Sequence, residues 1–225
     1  MDSSAFDTQS GGASPPSALL IDFGGVLTSS VLDAFRALSV DLGLAPETAL
    51  NVLSTNEEAR TALIEHEVGR QEEEEFEKAF AAALTEAGGR VEPQGLLARF
   101  DGYLDLEETM IEAVMEVRRR GVPVALVSNS LGRDCYARID LDELFDVSVI
   151  SGKVGVRKPS RRIYRIACEQ LGVAPEECIL VDDLQNNLDG AARLGIRGVL
   201  HRTAPETIAR LEELLALPVG PTTPR

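Results

Sequence analysis

Short, fully apolar runs alternate along the chain with longer segments whose apolar residues recur at helical spacing. The first of these runs, residues 18–21, is followed by an acid, an aromatic residue and two glycines. A run this apolar that ends at glycine is typical of a strand buried on both faces of a parallel sheet. The same pattern predicts further strands at residues 122–127, 146–151, 178–181 and 198–200. Strands that alternate with helices predict an α/β fold with a doubly wound parallel sheet.

One long segment, residues 31–100, separates the first strand from the second. It contains no strand-like alternation and is predicted to be helical throughout. In its stretch QEEEEFEKAFAAAL, apolar side chains at positions 76, 79, 80, 83 and 84 form a single stripe, which predicts one buried helix face. We expect Glu72 to Glu75 to point largely towards solvent rather than to bind a metal.

The first strand ends in a group of residues suited to chemistry. Asp22 follows it directly, at the edge where open α/β sheets place their ligands. Gly24 and Gly25 allow a sharp turn that brings backbone amides close to a ligand. Such a carboxylate can be a nucleophile or a metal ligand, and the alternative is an ordinary aspartate that caps a strand. For Asp182 and Asp183, after the fourth strand, the alternative is a pair that caps the following helix.

The charge of the chain restricts its partners. With a net charge of −15 and a pI near 4.6, the protein repels nucleic acids and anionic membrane surfaces, so we expect neither as a partner. No apolar run approaches the ~20 residues of a membrane span, and the N-terminus lacks the pattern of a signal peptide. Cys135, Cys168 and Cys178 have no metal-type spacing and indicate reduced thiols, so we expect a cytoplasmic protein.

Four stretches of the chain, in a fixed order, resemble the motifs of one enzyme family. They are IDFGGVLTS at 21–29, LVSNS at 126–130, VRKPS at 156–160 and ILVDDLQNN at 179–187. Together they resemble the four motifs of the haloacid dehalogenase-like (HAD) superfamily of phosphohydrolases. The resemblance extends over residues 18–217 and implies a Rossmann-like core, with the first strand between the second and the fourth.

The resemblance also implies how the chain is divided. The Rossmann-like core would comprise residues 18–30 and 101–217. Residues 31–100 would form a helical cap, inserted after the first motif, that closes over the active site. Residues 1–17 are expected to be a disordered leader, and residues 218–225 a frayed tail.

In this family the acid after the first strand is the nucleophile, so the resemblance implies that Asp22 forms an aspartyl-phosphate. Mg²⁺ would be held by Asp22, Asp183 and the backbone carbonyl of Gly24. Asp182 and Asn187 would orient the ion through water or hydrogen bonds.

The same resemblance assigns the phosphate-binding groups. Lys158 would be catalytic by pairing with the nucleophile and a phosphate oxygen, a role that suits its compact ammonium. Ser128 would be catalytic by donating its hydroxyl to a phosphate oxygen. The Asn129 side chain and the amide of Gly25 would donate to phosphate as well. Arg157 is expected to project elsewhere and to lie on the surface.

The chain departs from the family pattern at one position. Most HAD phosphatases have a second acid two residues after the nucleophile, which protonates the leaving alcohol and later activates water; here that residue is Gly24. General acid–base help is typically worth ~10²–10⁴ in rate. The segment IEHEVGRQEEEEFEKAF is similar to the cap helix-turn-helix of the family's phosphatase-like branch, with Glu67, Gly69 and Phe76 at the matching places. Its His66 or Glu67 would be a substitute proton donor, although we expect both to face solvent.

The sequence leaves three functions open. The first is a Mg²⁺-dependent phosphomonoester hydrolase that acts on a small phosphorylated metabolite. The second is a catalytically weak or inactive HAD-fold protein that binds a phospho-ligand or regulates a partner. The third, a 2-haloacid dehalogenase, is least favoured, because such enzymes have an aromatic residue two positions after the nucleophile and do not need paired metal-binding acids. The motifs encode neither the substrate nor the oligomeric state.

Overall fold

A computed structural model describes residues 16–220 of the chain. Within this range, five strands form one parallel sheet in the order β3-β2-β1-β4-β5. The strands are β1 (Ala18–Ile21), β2 (Val124–Ser128), β3 (Val147–Ile150), β4 (Cys178–Asp182) and β5 (Arg197–Leu200). The predicted α/β fold with a doubly wound parallel sheet is confirmed, and so is the central position of β1 between β2 and β4.

The observed strands differ from the predicted ones by one or two residues at their ends. β2 begins at Val124 rather than at residue 122. β3 ends at Ile150, because Ser151 begins a short helix. Asp146 precedes β3, and its carboxylate accepts a hydrogen bond of 2.9 Å from the backbone N–H of Val124. This aspartate therefore ties the starts of β2 and β3 together instead of extending either strand.

Five helices lie between β1 and β2. They are α1 (Val31–Asp41), α2 (Thr48–Thr55), α3 (Glu57–Glu67), α4 (Glu73–Glu86) and α5 (Leu96–Asp101). Their buried faces form a hydrophobic cluster separate from the two clusters that pack against the sheet. At its centre, the ring of Phe35 lies 4.4 Å from that of Phe100 and 6.2 Å from that of Phe80, measured between centroids. The boundaries of a cap at residues 31–100 stay a prediction.

The apolar stripe of α4 packs into this cluster, where Phe76, Phe80, Ala83 and Leu84 are buried. Among the glutamates expected in solvent, Glu73 is half-buried, because its carboxylate accepts a hydrogen bond of 2.6 Å from the backbone N–H of Arg133. Glu77, on the same helix, is buried and accepts from the backbone N–H groups of Gly95 (3.2 Å) and Leu97 (2.9 Å). It therefore caps the start of α5.

The remaining helices cover both faces of the sheet. They are α6 (Glu108–Arg119), α7 (Leu141–Leu144), α8 (Ser151–Val154), α9 (Arg161–Leu171), α10 (Gln185–Ala192) and α11 (Ala204–Leu215), with a 3₁₀ turn at Pro175–Glu177. Along β1, Leu19 and Ile21 pack with α6 and α11, whereas Ala18 and Leu20 pack with α9 and α10. Because both faces are covered, β1 is a continuous apolar run rather than an alternating one.

The two ends of the chain fall largely outside the described residues. Of the predicted leader, only Pro16 and Ser17 are described. Of the predicted tail, residues 218–220 are described; Val219 is buried against the core, and its backbone N–H donates to Glu212 Oε1 at 2.9 Å. This part of the chain therefore packs further than predicted. None of the helices within residues 16–220 is long and apolar enough to cross a membrane.

Candidate active site

The carboxyl ends of β1, β2 and β4 meet at one edge of the sheet, because the three strands are parallel and adjacent. Asp22 follows β1, Ser128 ends β2, and Asp182 ends β4. This edge and the helices inserted after β1 line a cavity of about 170 Å³ that is open to solvent on one side. Of the predicted site residues, those that line the cavity are Asp22, Gly24, Ser128, Asn129, Lys158, Asp183 and Asn187. Gly25 and Asp182 lie beside it.

Lys158 is the cation at the centre of this site. Its Nζ lies 2.6 Å from Asp22 Oδ1 and 2.8 Å from Asp182 Oδ2, and the side chain is 2% exposed. Burial opposes the charge of this lysine, but the two carboxylates outweigh it and raise the pKa of Lys158 above its ordinary value. Lys158 is therefore an ammonium that links the ends of β1 and β4.

Asp22 has one oxygen engaged by the protein. Its Oδ1 contacts Lys158 and accepts a hydrogen bond of 2.7 Å from the backbone N–H of Phe23. Oδ2 makes no such contact with the described residues and is the oxygen left for a ligand. Burial raises the pKa of Asp22 to about 7, and Lys158 lowers it less than burial raises it. A cation bound to Asp22 would restore its ionised form.

Asp182 is saturated by hydrogen bonds. The side-chain amide of Asn187 donates to both of its oxygens, at 2.9 and 3.1 Å, and the backbone N–H of Leu184 donates to Oδ1 at 2.9 Å. With Lys158 on Oδ2, little of the carboxylate is left for a metal. Asp182 and Asn187 therefore orient Lys158. The hydrogen bond from Leu184 closes the turn after β4 but is not a helix cap, because the N-cap residue of the next helix, Gln185–Ala192, is Leu184 and that helix has no side-chain cap.

Asp183 is the less buried acid of the pair. Burial raises its pKa to about 6, and the neighbouring Asp182 adds to the effect. Gly25, with φ of +73°, packs directly against this carboxylate, and a Cβ at residue 25 would overlap Asp183 Oδ2. Glycine is therefore required at residue 25 both for the turn and for the position of Asp183.

The donor set of this edge fits Mg²⁺. Carboxylate oxygens of Asp22, Asp182 and Asp183 lie within 4.8 Å of one another. Because Asp182 is already hydrogen-bonded, Asp22 Oδ2 and the Asp183 carboxylate are the side-chain oxygens that remain. Two carboxylates with room for water are the ligands that Mg²⁺ prefers. The carbonyl of Gly24 stays a predicted third ligand.

The predicted phosphate donors differ in how far the protein already uses them. Ser128 Oγ accepts a hydrogen bond of 2.9 Å from the hydroxyl of Tyr136 and makes only a long contact, 3.4 Å, to the Asn129 carbonyl. The Asn129 carboxamide is paired with the backbone of Lys158, accepting from its N–H (2.8 Å) and donating to its carbonyl (3.3 Å). The N–H of Gly25 donates to Thr28 Oγ1 at 3.1 Å. Ser128 is thus the predicted donor that the geometry leaves most free.

Two residues expected in solvent belong to the cavity. Arg157 lines it with a side chain that is 32% exposed, and its Nε lies 2.6 Å from Glu67 Oε2. Glu67 is only 8% exposed and lines the same cavity. The expectations that Arg157 lies on the surface and that Glu67 faces solvent are wrong. The physical reason is that the turn after α3 docks on the core, where Ser151 Oγ donates to the Glu67 carbonyl.

His66, the other candidate donor, is half-buried beside the cavity without lining it. Its ring stacks on Phe76, with centroids 5.4 Å apart. Nε2 accepts from the backbone N–H of Gly132 at 3.3 Å, and Nδ1 lies 3.2 Å from the carbonyl of Gln71. These contacts fit a neutral imidazole with its proton on Nδ1, so His66 holds the turn against the core.

Sequence reasoning also missed the rest of the lining. Apart from the polar residues above, the cavity wall is formed largely by Phe23, Val31, Leu32, Phe100, Leu104, Leu131, Cys135, Tyr136 and Leu184. Asp101 lies among them. Helical spacing predicts that many of these side chains are buried but not that they share a cavity. One signal in the sequence was available for the docking of the turn after α3. Gly69 lies in this turn, and a glycine in a turn often allows close approach to another backbone.

Comparison with known proteins identifies the family. The family model for haloacid dehalogenase-like hydrolases matches residues 16–195, which include the residues that line the cavity. The chain belongs to this family. As a HAD-like hydrolase it has a parallel sheet, with its acidic cluster at the carboxyl edge of that sheet.

Curated relatives of this HAD-like hydrolase include phosphatases. Phosphoserine phosphatase of Thermus thermophilus is 38% identical over 135 residues, which cover 55% of this chain and 53% of the relative. Glyceraldehyde 3-phosphate phosphatase of Methanopyrus kandleri is 29% identical over 173 residues, which cover 68% and 74%. The chain thus spans about half the length of the first of these relatives.

Solved structures of HAD-like proteins share the fold. A predicted HAD-like family hydrolase from Porphyromonas gingivalis superposes with a TM-score of 0.64 at 22% identity, covering 88% of this chain and 98% of that one. A HAD family enzyme from Bacteroides thetaiotaomicron, in complex with magnesium and inorganic phosphate, gives 0.59 at 20% identity, covering 83% and 94%. At these identities the likeness establishes the fold of the HAD-like hydrolase and nothing finer.

Proposed function

We propose that the protein is a Mg²⁺-dependent phosphomonoester hydrolase that acts on a small phosphorylated metabolite through an aspartyl-phosphate on Asp22. The observation that carries the proposal is the buried contact between Asp22 and the Lys158 ammonium, with Asp183 in the same cavity. Family membership and the phosphatases among the relatives support it. A nucleophile, a fixed cation and acids suited to a divalent ion are what phosphoryl transfer through a carboxylate requires.

In the first half of the proposed reaction, Asp22 Oδ2 attacks phosphorus and the ester P–O bond breaks. Lys158 fixes the attacking carboxylate through Oδ1 and places its charge beside the phosphoryl group. Asp22, Asp183 and the carbonyl of Gly24 would hold Mg²⁺, which would supply positive charge to offset the repulsion between the carboxylate and the phosphoryl oxygens.

In the second half, water attacks phosphorus, the bond between Asp22 and phosphorus breaks, and inorganic phosphate leaves. Ser128 assists both halves by donating its hydroxyl proton to a phosphoryl oxygen. Tyr136 supports this role, because its own hydroxyl donates to Ser128 Oγ and leaves the Ser128 proton free to point into the cavity.

The cavity restricts the proposed substrate. A cavity of roughly 150 Å³ holds a benzene molecule, so about 170 Å³ is enough for a small phosphate ester. Its walls beyond the phosphoryl site are mainly apolar, with Phe100, Leu104 and Leu131 among them. We therefore propose a leaving group with an apolar part.

The three cysteines bear on the location of the protein. All three lie in the described part of the chain and none forms a disulfide there, which supports a place in the cytoplasm.

The test is release of inorganic phosphate from a panel of small phosphate esters, with Mg²⁺, with EDTA, and with Mg²⁺ added back. We expect turnover that EDTA abolishes and Mg²⁺ restores, and no turnover for Asp22→Asn. Asp142→Asn, an exposed aspartate on α7, is the matched control and should behave as wild type. Absence of release by the wild type across the panel, or equal release by Asp22→Asn, would contradict the proposal.

One observation favours the second candidate, a phospho-ligand-binding protein with little turnover. Residue 24 carries no acid, and a Cβ there would lie 2.7 Å from Val31 Cγ2, so the space is filled by an apolar group. The phosphate-release assay combined with calorimetry separates the two functions. A phospho-ligand-binding protein would bind phosphate or an ester in calorimetry without releasing inorganic phosphate from the ester.

A further inference from the structure

The inference concerns the proton that the proposed reaction needs at its leaving group. An alcohol leaves phosphorus readily only when its oxygen is protonated, and the water that follows must lose a proton. The position two residues after Asp22 provides no group for this, because it is Gly24 and Val31 Cγ2 fills the space beside it. Any proton donor must therefore come from elsewhere in the cavity wall.

Glu67 is brought to the cavity by the end of α3. Its backbone carbonyl accepts a hydrogen bond from Ser151 Oγ at the start of α8. Two residues later, Gly69 lies so close to the carbonyl of Gly152 that a Cβ would overlap it. Together with the hydrogen bond from Gly132 to His66, these contacts fix the turn after α3 against the core. Glu67 is thus held in place by the packing of the insertion on the sheet.

The Glu67 side chain, which lines the cavity, has a buried oxygen without a hydrogen-bond partner among the described residues. Within residues 16–220, Glu67 Oε2 is buried and has no hydrogen-bond partner, although Arg157 Nε lies 2.6 Å away. The two groups therefore form an ion pair but no hydrogen bond, since Arg157 Nε is also without a hydrogen-bond partner. A buried carboxyl oxygen without a partner needs an explanation. We read it as a carboxyl group positioned for a ligand, because its other oxygen, Oε1, makes no hydrogen bond to the described residues and is left to meet a ligand in the cavity.

We propose that Glu67 is the general acid and base of this hydrolase, in the role that residue 24 does not fill. The inference rests on the proposed phosphatase function. As Asp22 Oδ2 bonds to phosphorus and the ester P–O bond breaks, the carboxyl proton of Glu67 passes to the leaving oxygen. The Glu67 carboxylate then takes a proton from water as that water's oxygen bonds to phosphorus and Asp22 is released. At the end of each cycle Asp22 is again a carboxylate and Glu67 is again a protonated carboxyl group.

The electrostatics of Glu67 suit both halves of this cycle. Burial raises its pKa to about 7, against the opposing charges of Arg157 and Lys158. A group that titrates near the working pH is available as an acid and as a base. His66, the neighbour on the same helix, has its ring nitrogens facing Gln71 and Gly132.

Asp101 is the other carboxyl of the cavity that the mechanism does not use. Burial raises its pKa to about 6. The charges that act on it are those of Arg138, Glu73 and Asp134, whereas Lys158 acts on Glu67. Asp101 Oδ1 is also buried without a hydrogen-bond partner in the described part of the chain, so position distinguishes the two acids. Glu67 contacts Arg157, the chain neighbour of Lys158, and Asp101 serves as the comparison residue.

The test uses the dependence of rate on the leaving group. The full-length protein with Mg²⁺, as wild type, Glu67→Gln and Asp101→Asn, is assayed with 4-nitrophenyl, phenyl and benzyl phosphate. These leaving groups are of similar size but of increasing basicity, so they depend increasingly on a proton donor. For Glu67→Gln we expect kcat/KM for benzyl phosphate to fall ~10²–10³-fold, and for 4-nitrophenyl phosphate less than about tenfold. For Asp101→Asn we expect the three substrates to change alike.

A second readout follows the water step. Because Glu67→Gln lacks the base that activates water, the phospho-enzyme should accumulate. We expect a burst of 4-nitrophenol in a stopped-flow trace that approaches one equivalent per site, larger than for wild type. The 4-nitrophenyl activity also shows that the variant is folded.

The outcomes separate the inference from the proposed function. If the wild type hydrolyses none of the three esters, the proposed function fails and the inference fails with it. If the wild type is active but Glu67→Gln loses equally on all three substrates, or loses nothing, only the inference is overturned, and Glu67 is a structural partner of Arg157. A loss confined to benzyl and phenyl phosphate, with the burst, supports it.

Discussion

Lys158 Nζ and Asp22 Oδ1 lie 2.6 Å apart at the carboxyl end of the central strand, both buried. Asp182 and Asp183 are in the same cluster, so one ammonium faces three acids. Burying charge without full compensation is costly. Lys158 therefore compensates only part of the negative charge of these three acids. A bound divalent cation would compensate the rest.

Replacing Lys158 by Met should destabilise the protein by about 3–5 kcal/mol, because it leaves buried acids without their partner. The measurement is urea unfolding at neutral pH in EDTA, repeated with Mg²⁺, which should restore part of the loss. Lys153→Met, an exposed lysine on the adjacent α8, is the control and should change stability by no more than about 0.5 kcal/mol. Equal stabilities of the two variants would show that Lys158 does not compensate the acids.

Gly25→Ala should remove the response to Mg²⁺. The added Cβ would displace the Asp183 carboxylate, in addition to the strain of φ at +73°. Gly43→Ala is a matched control, since its φ is +75° and no heavy atom lies within 4 Å of the added Cβ. Both should lose about 1–2 kcal/mol to backbone strain.

The two glycine variants are compared by thermal unfolding with and without Mg²⁺. Wild type and Gly43→Ala should gain about 2.7 kcal/mol when Mg²⁺ is present at a hundredfold its Kd. Gly25→Ala should gain much less. An unchanged Mg²⁺ response in Gly25→Ala would remove Asp183 from the proposed metal site.

The strands and the acids that follow them were predictable because their determinants are local. A fully apolar run fixes a buried strand, and parallel strands share one carboxyl edge, so Asp22, Ser128 and Asp182 had to meet. The stripe on α4 was predictable for the same reason, through helical spacing.

The places of Glu67 and Arg157 were not predictable, because they depend on contacts between distant parts of the chain. The hydrogen bond from Ser151 to the Glu67 carbonyl joins residues 84 positions apart. A glutamate at the end of an amphipathic helix has the same local pattern whether it faces solvent or a cavity. The Asn129 carboxamide is a similar case, since its partner is the backbone of Lys158, 29 positions away.

Glu67→Gln should make the protein more stable at alkaline pH while it loses activity. The pKa of Glu67 rises from 4.5 to about 7 on folding, so the folded state holds this proton more tightly than the unfolded chain. Stability present below pH 4.5 is therefore lost as pH rises to 7. Gln does not ionise, so its advantage over wild type should be below about 1 kcal/mol at pH 5 and approach about 3 kcal/mol at pH 8.

Urea unfolding of both proteins from pH 5 to pH 8 measures this difference. Contributions from other acids with raised pKa values, such as Asp101, are common to both proteins and cancel. Glu65→Gln, at a half-buried position of the same helix, is the control and should show no such gain, because Arg70 lowers the pKa of Glu65. If the difference in stability between Glu67→Gln and wild type is the same at every pH, the raised pKa of Glu67 is contradicted.

An acid restored at residue 24 should replace Glu67 only if room is made for it. Gly24→Asp alone brings a Cβ to 2.7 Å from Val31 Cγ2, so the new side chain is strained and misplaced. Val31→Ala removes that methyl group. In a Glu67→Gln background, the pair Gly24→Asp with Val31→Ala should recover at least tenfold of the lost kcat/KM for benzyl phosphate, since one positioned acid is worth ~10²–10⁴. Neither single substitution should do so.

4-Nitrophenyl phosphate is the internal control for this rescue, because its leaving group needs no proton and its hydrolysis should not gain from the restored acid. Equal gains on both esters would show that the rescue acts through binding or packing rather than through proton transfer.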